Sequence, residues 1–397
     1  MFRSRRRILL ASVAAVAVPA TLFVAGCGSS DSASTDTAAA TATAATATAP
    51  PNSISIAMEA PLSGDQADSG QDMLNGVMLA ADQVNAKGGV LGKQINIIPV
   101  DDKADPAVGK TVAQQTVDQG LAVAVVGPYN SGVGIENLSI YKAGGLAIAR
   151  MTSDDKTSGF GVTTQPMNSQ ISPVEIDYIS GLKPAKVSML VDPSAYTQSM
   201  ASRLKAGLTK MGINVSSVEI KAGEKDYAKQ VSTALTDNPE VVYVSTYYPE
   251  GAIIAKDLAA EAAKGNTTSC FMGLANQDPG FITAAGVANS EKCVFSGVPS
   301  PDAFPGAASY VTDYTAKFGN APGTWGTFTY DSANIVFAAI KKAGSADSAA
   351  IAKQLAATSG FKGITGTITV EPGTGNREDP PVKILKVTGP ATFTVVS

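Results

Sequence analysis

Ser153-Asp154-Asp155-Lys156 sets a hydroxyl three residues before an amine, the S-x-x-K spacing in which lysine activates a serine nucleophile. Acyl transfer needs further partners, and Lys156-Thr157-Ser158 overlaps the motif instead of lying near the C-terminus. Met151 to Lys156 reads better as a binding loop, in which Thr152, Ser153 and Asp154 hold polar groups of a ligand. Gly127-Pro128-Tyr129-Asn130-Ser131-Gly132 has the G-x4-G half of a phosphate loop, but Val133 stands where the lysine is required. Its main-chain N–H groups and Ser131, at the start of a helical pattern, suit a carboxylate. A glycine-rich strand-to-helix turn also needs such residues for geometry alone. Tyr243, Tyr247 and Tyr248 end a strand pattern, and the last two lie past it, where a ligand would sit. Trp325, the single tryptophan, falls in a Gly/Thr-rich loop and does not argue for a sugar ligand. The chain has no histidine, which removes Ser-His-Asp and Cys-His catalysis and every His-based zinc site. We assign no catalytic residue, no metal ligand and no cofactor.

The elements that must position these loops alternate along the chain. Ile54–Met58, Ile95–Val100, Ala122–Val126 and Leu146–Ala149 read as strands. Helical patterns over Asp72–Asn85, Ala107–Gln119 and Gly132–Lys142 separate them. The order repeats with strands Lys186–Val191, Val215–Ile220, Val241–Ser245 and Cys270–Gly273, and helices Thr197–Met211, Tyr227–Leu235 and Gly251–Ala263. Such alternation predicts an α/β chain with two doubly wound parallel-sheet lobes, ligands binding beyond the carboxyl ends of the strands. Pro299–Ser397 adds helices near Ala307–Phe318, Ser332–Ala343 and Ser348–Ala356, then β-like runs Thr365–Val370 and Val382–Val387. It is expected to complete both lobes. The bounds are 53–173 with 300–372 for the first lobe and 174–299 with 373–397 for the second.

The N-terminus fixes the compartment. A basic Met1–Arg7, an uncharged apolar run Ile8–Val24 and Val24-Ala25-Gly26-Cys27 form an export signal over 1–26, and the cysteine resembles the lipobox of bacterial lipoproteins. Cys27 would then carry lipid, and two or more acyl chains suffice for stable anchoring. Residues 27–52 are the lipidated cysteine and a tether, 28–52 being almost entirely Ser, Thr, Ala, Gly, Asp and Pro, with a reach of roughly 25–30 Å. Cys270 and Cys293 remain, an even pair that in an exported protein reads as a disulfide worth ~3 kcal/mol, with two free thiols as the alternative. Charged residues are 16% of the chain and the net charge is -4, with no basic block beyond the signal, so nothing suits a nucleic-acid surface.

Several segments taken together carry a resemblance. Pro61-Leu62-Ser63-Gly64, Asn85-Ala86-Lys87-Gly88-Gly89-Val90-Leu91-Gly92, Asp101-Asp102 with Asp105-Pro106, Ala222–Tyr227 and Phe271-Met272-Gly273 occur in order. From about Ser53 to Val396 the chain resembles the type I periplasmic solute-binding proteins of ABC transporters, in the branched-chain amino-acid (Leu/Ile/Val) class. The resemblance implies lobes joined by a three-strand hinge, closing on a small polar ligand such as an amino acid or a related amide or amine. It places Ser131 and Thr152–Asp154 at the first-lobe site for the ligand's carboxylate and ammonium. Tyr196 and Tyr247 match aromatic positions of the second lobe. Ser69 stands where relatives have a covering aromatic, and Ala275 where they have an acid that pairs with the ammonium. Asp154 or Asp278 could supply that charge. The implied protein is a monomeric, lipid-anchored partner of an ABC permease on the extracytoplasmic face of the membrane. A sensor delivering its closed state to a signalling receptor is the alternative, and a Ser-Lys acyl hydrolase a remote one.

Overall fold

Ala122–Val126, an unbroken apolar run, can be buried on both faces only in a sheet covered by helices, and the computed structural model places it in one. The structure describes residues 50–396; the expected signal, Cys27 and nearly all of the tether lie outside the described residues. In chain order the first half comprises β1 (Ser53–Ala60), α1 (Ala67–Asn85), β2 (Gln94–Asp101), α2 (Pro106–Gln119), β3 (Ala122–Val126), α3 (Ser131–Ala143), β4 (Ala147–Arg150), β5 (Val162–Thr163) and α4 (Asn168–Gly181). Then come β6 (Lys186–Val191), α5 (Ala195–Lys210), β7 (Asn214–Glu219), α6 (Ala228–Leu235), β8 (Val241–Ser245), α7 (Tyr248–Ala263), β9 (Ser269–Met272), α8 (Pro279–Ala285), α9 (Val287–Ser290) and β10 (Cys293–Gly297). The last part comprises α10 (Ala308–Phe318), α11 (Thr324–Ala343), α12 (Ser348–Ala356), β11 (Phe361–Gly363), β12 (Gly366–Ile368), β13 (Lys383–Gly389) and β14 (Thr392–Val395).

One sheet has the order β2-β1-β3-β4-β5, all parallel. The other runs β14-β13-β10-β9-β8-β6-β7, parallel from β7 to β10, with β13 and β14 added antiparallel. Strand order reverses beside β1 in the first and beside β6 in the second, so each sheet has a switch point at its carboxyl ends. The chain leaves the first sheet after β5, and α4 packs on α5, β10 and β13. It returns after β10 to lay α10, α11 and α12 against α1, β3 and β4, then crosses again to β13. Residues 373–377 still lie on the first side: Thr163 N donates to Gly375 O at 2.9 Å and Arg377 Nη1 to Thr164 O at 3.0 Å. The third crossing therefore follows Arg377, a few residues beyond the boundary at 372 drawn from the sequence.

The short motifs act as ties. Asp101 Oδ1 accepts from Leu62 N at 2.9 Å and Ser63 N at 3.2 Å, and its Oδ2 from the Ser63 hydroxyl at 2.6 Å, fixing the turn after β1. Asn85 Nδ2 donates to Ile95 O at 2.8 Å and Asn85 Oδ1 accepts from Ile95 N at 2.7 Å, binding the end of α1 to β2. Asp105 caps α2 through Ala107 N and Val108 N, with Pro106 in the first turn. Cys270 and Cys293 are register partners on β9 and β10 and are bonded.

Local sequence misplaces several helix starts: α1, expected from Asp72, begins at Ala67, α7, expected from Gly251, begins at Tyr248, and the largest shift is in α11. The helix expected from Ser332 begins at Thr324, so Trp325 lies in the first turn of α11 and not in a loop. The reason is tertiary: Asp72, on α1, accepts from Gly323 N at 2.8 Å, Gly326 N at 2.6 Å and the Tyr314 hydroxyl at 2.9 Å. Burial nevertheless pushes the Asp72 carboxyl up to about 6.

Glu175 on α4 ties the helix to the second sheet, accepting from the Tyr243 hydroxyl at 2.9 Å and from the Ser296 hydroxyl. It is fully buried, and desolvation raises its pKa from 4.5 to about 7 against the lowering effect of both hydroxyls. A raised acid stabilises the fold below its unfolded pKa and loses that contribution as pH rises through its folded one. Glu175→Gln is therefore expected to flatten the fall in unfolding free energy across that interval by about 3 kcal/mol. Denaturant titrations at a series of pH values check this; parallel curves for variant and wild type would contradict it.

Candidate functional site

The loops beyond the strands' carboxyl ends converge from both sheets. After β3 the chain turns at Gly127, whose φ is +111° and where an added Cβ would lie 2.1 Å from Glu59 O, so glycine is required. The turn delivers Tyr129 and Asn130, and α3 starts at Ser131. Asn130 is the N-cap residue, yet its side chain does not cap the helix; its Nδ2 donates to Gln66 Oε1 at 2.9 Å. Ser131 Oγ accepts from Asp154 N at 3.1 Å, joining this loop to the one after β4.

In that second loop Thr152 donates to Thr157 Oγ1 at 2.8 Å and so serves the loop itself. The Ser153 hydroxyl donates to Pro166 O at 2.7 Å and accepts from Gln165 Nε2 at 3.0 Å. These partners, not Lys156, hold the serine of the S-x-x-K spacing. Asp154 Oδ1 accepts from Lys156 N at 2.9 Å, whereas its Oδ2 is buried with no partner among the described residues.

The facing wall comes from the second sheet. Tyr196 lies in the first turn of α5, Tyr247 is the N-cap residue of α7, and Leu274 and Ala275 follow β9. Tyr129 and Tyr247 meet edge to face with ring centroids 6.2 Å apart; Tyr196 lies 5.9 Å from Tyr247, and Trp325 5.7 Å from Tyr129. With Ser153 and Gln165 these residues enclose a chamber of about 20 Å³. That is room for roughly one water. Burial pushes the hydroxyls of Tyr129, Tyr196 and Tyr247 upward, so all three are neutral. The Tyr196 hydroxyl has no partner among the described residues.

Ser69 and Asp278 lie elsewhere. The Ser69 hydroxyl donates to Asp278 Oδ2 at 2.6 Å, and Asp278 Oδ1 accepts from Gly280 N at 2.7 Å. Burial raises the Asp278 carboxyl above the ordinary range against both hydrogen bonds. This pair ties α1 to the start of α8, and Asp278 lines a wider cleft of about 580 Å³ with Asp68, Asp72, Tyr248 and Tyr314. Arg203 and Asp155, 2.7 Å apart, form another tie between the loop after β4 and α5.

Of the residues singled out from sequence, Ser153, Tyr196 and Tyr247 thus share the chamber. Ser131 and Asp154 are bonded beside it, Thr152 turns to its own loop, and Ser69 and Asp278 pair with each other in the wider cleft. Tyr129, Gln165, Leu274 and Trp325 were not assigned. Tyr129 sits inside the loop already read as ligand-binding, which was the available signal. Trp325 was hidden by the misplaced start of α11. Gln165 follows a strand of two residues and gives no local signal.

The family model for the periplasmic binding protein matches residues 53–390. The chain is 30% identical over 305 residues to the Leu/Ile/Val-binding protein BraC3 of Rhizobium johnstonii, covering 75% of this chain and 81% of that one. It is 27% identical to Leu/Ile/Val-binding protein homolog 2 of Brucella abortus, covering 80% and 86%. Among solved structures, the leucine binding protein LivK of Thermotoga maritima superposes with a TM-score of 0.78 at 22% identity, covering 86% of this chain and 98% of that one. The branched-chain amino acid transporter substrate binding protein LivJ of Streptococcus pneumoniae, in complex with isoleucine, gives 0.75 at 22% identity, covering 86% and 97%. These relatives are solute-binding proteins. The chain belongs to the periplasmic binding protein family, in its type I, Leu/Ile/Val-binding class.

Proposed function

We propose that this chain captures a small zwitterionic solute, an amino acid or a close relative, between its two sheet-centred lobes and presents it to an ABC permease. One observation carries the reading. The uncapped N-terminus of α3 and the unpartnered Asp154 Oδ2 lie on loops joined by the Ser131–Asp154 hydrogen bond. The first favours a carboxylate through its dipole and N–H groups. The second favours an ammonium, in the absence of an acid at Ala275. Charges of opposite preference on adjoining loops fit a zwitterion.

The aromatic chamber next to Ser153 receives the side chain. Its walls come from both sheets and leave room for roughly one water, so a solute enters when the lobes part and is enclosed when they close. Contacts with both walls favour the closed form over the open one. The Ser69–Asp278 and Asp155–Arg203 ties add to that preference. Lipidation of Cys27 would hold the monomer on the extracytoplasmic face, the tether giving it reach to the permease.

Asp154→Ala is expected to weaken the binding of an amino acid ligand by about 2 kcal/mol or more, ~30-fold, since it leaves a buried ammonium unpaired. Titration calorimetry checks it, and unchanged affinity removes Asp154 from the site. Trp325 is the single tryptophan and is 2% exposed against Tyr129, so its fluorescence should change as the chamber fills. Calorimetric binding with a silent tryptophan would place the solute elsewhere.

A further inference from the structure

The hydrogen bonds around Gln165 have one possible direction. The residue is 2% exposed, and its Nε2 donates to Met151 O and, at 3.0 Å, to Ser153 Oγ. Ser153 gives its single hydroxyl proton to Pro166 O at 2.7 Å, leaving its oxygen to accept. Main-chain carbonyls only accept, so the amide must turn its nitrogen toward Met151 and Ser153. An amide flipped the other way would face two acceptors with an oxygen. Oε1 is therefore the free atom, and it has no partner among the described residues.

Gln165 is also part of the chamber wall, with Tyr129, Ser153, Tyr196, Tyr247, Leu274, Ala275 and Trp325 around the same space. None of these side chains is ionised. An ammonium in the chamber would lose its water with no counter-charge in the wall. An aliphatic side chain would leave Oε1 buried and unsatisfied. A flat ring carrying a donor meets both demands, because aromatic walls accept its faces and edges and Oε1 accepts its proton. The walls belong to different sheets, so their separation admits a ring without unfolding either. The Tyr129–Tyr247 contact is then replaced by contacts of the same kind with the ring.

Resting on the solute-binding reading above, we propose that Gln165 is a specificity-determining residue. It selects amino acids whose side chain is an aromatic ring with a neutral O–H or N–H, a phenol or an indole, donated to Gln165 Oε1. Met151 and Ser153 are the positioning residues that hold the amide in this sense.

Titration calorimetry of the wild-type protein with L-tyrosine, L-tryptophan, L-phenylalanine and L-leucine tests the assignment. L-tyrosine should bind at least ~10-fold more tightly than L-phenylalanine, because a site built for a hydroxyl rejects the analogue lacking it. In Gln165→Met, of similar length but without the oxygen, that ratio should fall to about one. If the variant fails to fold, the wild-type ratio decides alone. Equal or tighter binding of L-phenylalanine or L-leucine, or a ratio that survives in Gln165→Met, overturns the inference. In either case binding itself leaves the solute-capture reading standing. No heat from these four overturns the inference too, and no heat from any amino acid or amide contradicts the reading on which it rests.

Discussion

Tyr129 and Tyr247 touch edge to face, one just past the carboxyl end of β3 and the other just past that of β8. The contact is where two parallel sheets, each built from βα units, bring their switch points together. It depends on Gly127, whose backbone no residue with a Cβ could adopt beside Glu59. It depends equally on α11, because Trp325 backs Tyr129 from the first turn of that helix. That turn is held by Asp72 on α1. A helix from late in the chain is thus fixed by one from its beginning, and it carries Trp325 into the chamber wall.

The polar side chains of the fold divide by whether they are satisfied. Asp101, Asn85, Asp72 and Glu175 have their oxygens occupied by main-chain N–H groups or hydroxyls and act as ties. Asp154 Oδ2, Gln165 Oε1 and the Tyr196 hydroxyl are equally buried and remain unpartnered among the described residues. Leaving such atoms unpaired costs free energy, and these three lie on or beside one small chamber, which makes it the candidate site. The same logic separates the two clefts. In the wider one the buried carboxylates Asp72 and Asp278 are already engaged, whereas the chamber holds the free Gln165 Oε1 and Tyr196 hydroxyl.

Much of this was legible in the sequence. The strand runs, the βα alternation and the repeat of that alternation follow from apolar periodicity, and they place the loops at Ser131, Thr152–Asp154 and Tyr247 beyond the carboxyl ends of the strands. The turn and cap motifs were legible as a set, and the structure shows why: Asp101 and Asn85 each tie segments that neighbour in sequence order. What stayed hidden depends on distant partners. The start of α11 needs a carboxylate some 250 residues away, as the Gly323–Asp72 separation of 251 shows. Gln165 becomes a defined acceptor only through Met151, Ser153 and Pro166, and no local pattern announces that. Ser69 and Asp278, each placed by analogy at the ligand, satisfy one another instead.

On the proposed reading, facing loops of two sheets enclose one zwitterionic solute. Native mass spectrometry of residues 53–397, purified without refolding and then mixed with equal amounts of amino acids, amides, polyamines and sugars, tests it most directly. One amino acid is expected to be bound per chain and not displaced by the other classes. A chain that stays bare, or that retains a sugar or polyamine in preference to every amino acid, would contradict it.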